Sequence, residues 1–213
     1  LNYLQATNAV LRACSEAEIA SVPAAAAGSI GAKFGEIVNE AYRLANNLRR
    51  WPWAKGVTTV TAGLTADTFV PDATMLEVIS LTYNGRRLSD RYTFEELQVI
   101  APNLGVQTGT PTHFTMQDFN TIRVYPMPTD VLPHTLVQVY GYQALPDLVA
   151  DTDALGGPAQ YHDAVVQLAY AIAKDKHFGS DSEATSARKR ADEMFRVIFS
   201  RSRRNKAAPR IRV

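Results

Sequence analysis

Eight apolar residues, Ile30, Phe34, Ile37, Val38, Ala41, Leu44, Ala45 and Leu48, recur at the spacing of one face of a 3.6-residue helix. Lys33, Glu36, Asn39, Glu40, Arg43 and Asn47 occupy the opposite side. Arg49 and Arg50 close the last turn, where cations complement the helix dipole. Pro52 disfavours helical geometry at Trp51 and ends the run. Helical periodicity then disappears for a long stretch, so the chain must combine helical ends with a middle of another kind.

That middle is β-rich. Val57-Thr58-Thr59-Val60-Thr61, Thr68-Phe69-Val70 and Met75 to Tyr83 are short β-branched or apolar runs. Asn84-Gly85 follows the last of them, and this dipeptide marks a hairpin because both central residues need positive φ. Thr93 and Glu96 stand at capping-box spacing and predict a short helix to about Ile100. His113 to Met116, Thr121 to Tyr125 and Thr135 to Tyr142 predict three more strands.

Helices frame this region. Asn2 is a suitable N-cap for a helix to about Cys14. Pro158 suits the start of another, with Tyr161, Val165, Leu168 and Ile172 on its stripe and Phe178-Gly179 at its end. Ala184, Ala187, Ala191, Met194 and Ile198 form the stripe of the last helix, which dissolves from about Ser202. The predicted fold class is α+β. N- and C-terminal helix pairs, 1–54 and 147–201, form a thin bundle with a small antiparallel β-domain, 55–146, inserted between them. An extended basic arm, 202–213, follows. Thin bundles with narrow stripes complete their cores against neighbouring subunits.

Apolar residues make up 46% and charged residues 20%, which excludes a mainly disordered chain. No uninterrupted apolar run is long enough to span a membrane. Leu1-Asn2-Tyr3-Leu4-Gln5 lacks the basic and apolar regions of a signal peptide. The single cysteine, Cys14, excludes an internal disulfide or a multi-cysteine zinc site and suits assembly in a reducing compartment. The net charge of +1 conceals an asymmetry: residues 200–213 carry six cations and no acid, against 16 cations and 21 acids elsewhere. A basic tail on an acidic body usually contacts something outside its own domain.

Motifs for chemistry are missing. There is no phosphate-binding P-loop, no dinucleotide fingerprint and no nucleophile elbow. His113, His134, His162 and His177 include no pair at zinc-helix spacing. His162-Asp163 can be read as a phosphohydrolase dipeptide or as two polar residues at a helix start, and the second reading is favoured. Asp147, Asp151 and Asp153 lack the later ligands of a calcium loop and read as a solvated loop. Cys14 reads as a buried thiol. Trp51 and Trp53 read as a hydrophobic plug against the β-domain. No enzyme activity, cofactor or metal is predicted.

The partner-binding candidates are therefore the arm residues Arg203, Arg204, Lys206, Pro209, Arg210, Ile211, Arg212 and Val213. One reading is a DNA-binding module that meets phosphates and weakens steeply with salt. The other is docking on a protein. When extended, Ile211 and Val213 face one way and Arg210 and Arg212 the other, which suits strand addition to a sheet edge. Fourteen residues can reach about 45 Å. Protein docking is the favoured reading.

The order of several segments resembles a known family. These are Asn-Ala-Val-Leu-Arg at 8–12, Val38-Asn39-Glu40-Ala41 leading to Trp51-Pro52-Trp53, and Gly109-Thr110-Pro111-Thr112-His113-Phe114. Ile122-Arg123-Val124-Tyr125-Pro126-Met127-Pro128, Val139-Tyr140-Gly141-Tyr142 and Tyr161-His162-Asp163-Ala164-Val165 complete the set. Together they resemble the head-to-tail adaptors of tailed bacteriophages, the tail tubular A or tail accessory factor group. The resemblance implies a virion protein at the head–tail junction, made in the host cytoplasm and free of membrane. It implies a homo-oligomeric ring, commonly of twelve copies, between the portal protein and the tail nozzle. The arm would reach the portal, the β-domain would face the next tail component, and genomic DNA would pass through without sequence-specific binding. A net-acidic body suits such a passage, since like charge keeps DNA from sticking.

Overall fold

The computed structural model describes residues 1–61, 68–90, 92–100, 107–118, 121–128 and 136–204. They form two compact units, one built from Leu1–Ala54 with the chain from Leu145 on, the other from Lys55–Ala144. The fold class is α+β, with five α-helices among the described residues and antiparallel strand pairing in the ladders of both sheets.

The first unit contains α1 (Tyr3–Ala13), α2 (Ile30–Leu48), α4 (Ala159–Phe178) and α5 (Asp181–Arg204). Its helix starts follow from local chemistry. The Asn2 side chain accepts the Gln5 N–H at 2.8 Å, and the Gln5 side chain accepts the Asn2 N–H at 3.1 Å. This reciprocal box satisfies two donors that a helix start leaves open. Ser29 caps α2 by accepting from the Ala32 N–H. Pro158 is the N-cap of α4 rather than its first residue, and Gly179 ends that helix with φ of 59°. α4 packs on α1, α2 and α5. Val10, Leu11, Phe34, Val38, Trp51, Tyr161, Val165 and Phe195 make the core.

The predicted α2 stripe is buried only in part. Phe34, Ile37, Val38, Ala41 and Ala45 are covered, while Ile30, Leu44 and Leu48 remain about half exposed. At the other end of the unit's chain, α5 runs on to Arg204, so 202–204 are helical rather than the start of an extended arm. Arginine is a good helix former, and the Ser202 hydroxyl is satisfied by donating to the Phe199 carbonyl at 2.9 Å.

The aspartate-rich loop before α4 is tied down by main-chain bonds. The Asp153 carboxylate accepts from Val149 and Ala150 N–H groups, and these bonds hold its pKa below the usual carboxylate value. Asp151 accepts from the Val22 N–H at 2.8 Å, and Asp147 pairs with Arg43. Asn39 clasps Leu148, donating to its carbonyl and accepting from its N–H, both at 2.9 Å. Each carboxylate of the loop thus has a structural partner.

The second unit holds β1 (Lys55–Thr61), β2 (Thr68–Phe69), β3 (Met75–Tyr83), β4 (Arg86–Arg87), α3 (Phe94–Ile100), β5 (His113–Met116), β6 (Ile122–Tyr125) and β7 (Leu136–Gln143). Two sheets form, in the orders β1-β7-β3-β4 and β2-β6-β5. Leu81, Tyr83, Val137 and Val139 of the first join Phe69, Phe114, Ile122 and Val124 of the second in one core. Asn84 and Gly85 turn β3 into β4 with φ of 46° and 78°. Thr93 and Glu96 make the expected reciprocal box at the start of α3. His134 and the strand start at Thr135 lie outside the described residues.

Candidate functional site

The arm residues Lys206, Pro209, Arg210, Ile211, Arg212 and Val213 lie outside the described residues, and Arg203 and Arg204 are the last two residues of α5. What the structure adds is a groove between α4 and α5.

α4 and α5 form an antiparallel pair whose two halves differ. Near the turn after Gly179 the buried positions of α5 are Ala184, Ala187 and Ala191, and small side chains allow close helix approach. Lys174 pairs with Glu183 at 2.9 Å and Arg188 with Asp175 at 2.6 Å across this half. Further along, the buried positions become Phe195 and Ile198. There an open groove of about 650 Å³ runs between the outward sides of the two helices. Val166, Met194, Val197 and Ile198 give it an apolar floor, and Asp163, Glu193, Arg190 and Arg201 ring it with both charges. A second hollow of about 260 Å³ continues the groove past Gln167 and Arg190 and is lined mainly by polar residues.

The groove has no concentration of nucleophile, base and oxyanion donors. Among the described residues, no three His, Cys, Asp or Glu side chains come together to hold a metal ion. His162 and Asp163 point apart: the imidazole is buried, and the carboxylate is exposed on the groove. Burial pushes the His162 pKa below its ordinary 6.5. The neutral ring is thus favoured in the folded state. It contributes stability that is complete above about pH 6.5 and is lost as pH falls through the lowered value. The melting temperature of the wild-type chain is expected to drop more steeply than that of His162→Gln between pH 7 and pH 5. Parallel thermal melts check this, and equal slopes would contradict it.

Trp51 and Trp53 stack on each other with ring centroids 4.9 Å apart, and both meet Tyr161 edge-on. Their packing is internal to the helical unit. Cys14 is a buried thiol whose pKa burial raises.

The groove was not among the sequence candidates, yet a signal for it exists. Val165-Val166 and Val197-Ile198 are adjacent apolar pairs. Neighbours on a helix point about 100° apart, so one member of each pair must leave the core stripe.

No helix among the described residues is long and apolar enough to cross a membrane. In comparison with known proteins, the family model described as SU10 adaptor protein matches residues 1–213. No curated protein matches the chain.

Proposed function

The chain belongs to the SU10 adaptor protein family, a family of phage head-to-tail adaptors, and from that premise we propose that copies of it close into a ring of twelve. The ring joins the portal to the next tail component and lines the passage for genomic DNA. Its work is assembly. The basic segment from Lys206 to Val213 docks on the portal, and repetition around the ring turns many weak contacts into firm attachment through effective concentration.

The observation that carries this reading is the unfinished helical unit. One helix pair leaves an apolar groove open, and Leu44 and Leu48 of α2 stay exposed where the sequence stripe anticipates burial. A subunit of a closed ring needs two different contact surfaces, one for each neighbour.

Deleting Lys206–Val213 tests the docking role. The truncated chain is expected to keep its far-UV spectrum and melting temperature but to lose attachment to portal-bearing heads. Normal attachment would overturn the role given to the arm. Electron microscopy of the purified chain, alone and mixed with portal, tests the ring. The competing reading, a DNA-binding module, requires tight duplex binding that falls steeply with salt, and a titration at several salt concentrations measures it directly.

A further inference from the structure

The two open surfaces of the helical unit fit each other. We propose that the α4–α5 groove of one copy receives the α2 ridge of a second copy, with Leu44 and Leu48 seated against Val166, Met194 and Val197. This rests on the ring reading and specifies how neighbouring subunits join.

The ridge cannot come from the same copy. Within one copy α2 already packs on α4, where the Tyr161 hydroxyl donates to Asn46 of α2 and Tyr161, Val165 and Ile172 are buried. Asp163 and Val166, which line the groove, lie roughly half a turn away around the helix. Groove and ridge therefore occupy different faces of one compact unit. A contact between two different faces is heterologous, and it closes into a ring when the rotation between copies allows.

The ridge is also limited to the right size. Ile37 lies on the same line of α2 but is covered, which separates the exposed Ile30 at the helix start from Leu44 and Leu48, one turn apart, at its other end. They are 47% and 53% exposed, and Val197 on the groove floor is 48% exposed. Seating them removes apolar surface from water on both sides.

Charges match as well. Arg43 and Asn47 flank the ridge, and the groove offers them Asp163 and Glu193. Glu36 lies further along α2 and the groove carries Arg190 and Arg201, while Glu40 is already paired with Lys176 of its own copy at 2.6 Å. Arg43 is held by Asp147 only in an exposed pair, the kind worth little by itself, so it can turn to a neighbour.

Disulfide trapping tests the contact. In a Cys14→Ser background, Leu48→Cys and Val197→Cys are made singly and together. Oxidising a mixture of the two single variants is expected to give a covalent dimer, and oxidising the double variant a ladder of covalent oligomers. Each single variant alone should give none. As a second readout, Val197→Glu should raise the concentration needed for assembly at least about tenfold, equivalent to about 1.4 kcal/mol, without changing the melting temperature. Adding Leu48→Lys should restore part of that loss. Rings that form with only like-with-like disulfides, or with none, would overturn this contact and leave the ring reading standing. A chain that stays monomeric alone and on portal-bearing heads would overturn the ring itself and this contact with it.

Discussion

Replacing Trp51 with alanine is expected to cost the helical unit about 3–5 kcal/mol, the range for deleting a fully buried large aromatic side chain. Trp51 has no exposed surface. Its ring meets Trp53, Tyr161, Phe195 and Phe199 with centroids 4.9, 5.2, 6.0 and 6.0 Å away. It therefore joins the segment after α2 to both α4 and α5. Its indole N–H also donates to the Ala45 carbonyl at 2.8 Å. Ala45 is among the last four residues of α2, whose carbonyls have no partner within the helix. Arg49 at the C-cap is extended, with φ of −154° and ψ of 160°, so no left-handed glycine cap closes this end. The tryptophan takes over part of that task. Native stability is only about 5–15 kcal/mol for a typical domain, so Trp51→Ala consumes a large share. Trp51→Phe keeps most ring contacts, loses the N–H donor, and is expected to cost about 1–3 kcal/mol. Denaturant unfolding followed by far-UV signal measures both, and a loss below about 1 kcal/mol for the alanine variant would contradict the role assigned.

Local rules served the helix ends and turns well, because each depends on residues within one turn of the chain. Asn2 with Gln5, Thr93 with Glu96, Asn84-Gly85 and Gly179 all act as their residue types require. The strands at 113–116 and 122–125 follow their β-rich runs for the same reason. Periodicity was less informative about burial. The α2 stripe reads as eight equivalent core positions, but a stripe records apolarity and not what covers it. Leu44 and Leu48 obey the period and still face outward. Conversely, Phe195 stands beside the Met194 position that the α5 stripe selects, and Phe195 is the one buried. A single face drawn on a helix wheel cannot decide between adjacent apolar residues when the helix has neighbours on more than one side. The aspartates at 147, 151 and 153 show a related limit. Their partners are Arg43, the Val22 N–H and the Val149 and Ala150 N–H groups. Two of the three come from residues more than a hundred positions away, which spacing cannot reveal. The groove follows the same logic, since two helices must pair before the space between them exists.

Gly141 should be the most demanding position of the β unit. It lies in β7, the strand between β1 and β3, opposite Gly56 on one side and Val78 on the other. β3 carries irregularities on both sides of that point, between Met75 and Glu77 and between Val78 and Ser80. Each inserts one extra residue, Leu76 and Ile79, both of which are exposed. Such bulges bend a strand locally. Here they bring the Glu77 carbonyl and the Met75 sulfur over Gly141, where a Cβ would overlap both. A backbone carbonyl cannot turn aside as a side chain can, so β3 would have to separate from β7. Gly141→Ala is expected to destabilise the unit by about 3 kcal/mol, the upper part of the range for overpacking. Gly56 provides the control, because it sits in the same ladder directly opposite. The atoms nearest a Cβ there belong to the Gln143 side-chain amide, which can rotate away at the loss of its bond to the Thr58 hydroxyl, so Gly56→Ala should cost about 1 kcal/mol. Hydrogen exchange of the β7 amides reads the difference: Gly141→Ala should speed their exchange by about a hundredfold, from the same free energy at a factor of ten per 1.4 kcal/mol. Equal acceleration in the two variants would mean that the bulges of β3 are not shaped around Gly141, and that the missing side chain there serves the strand pairing no more than its neighbour's does.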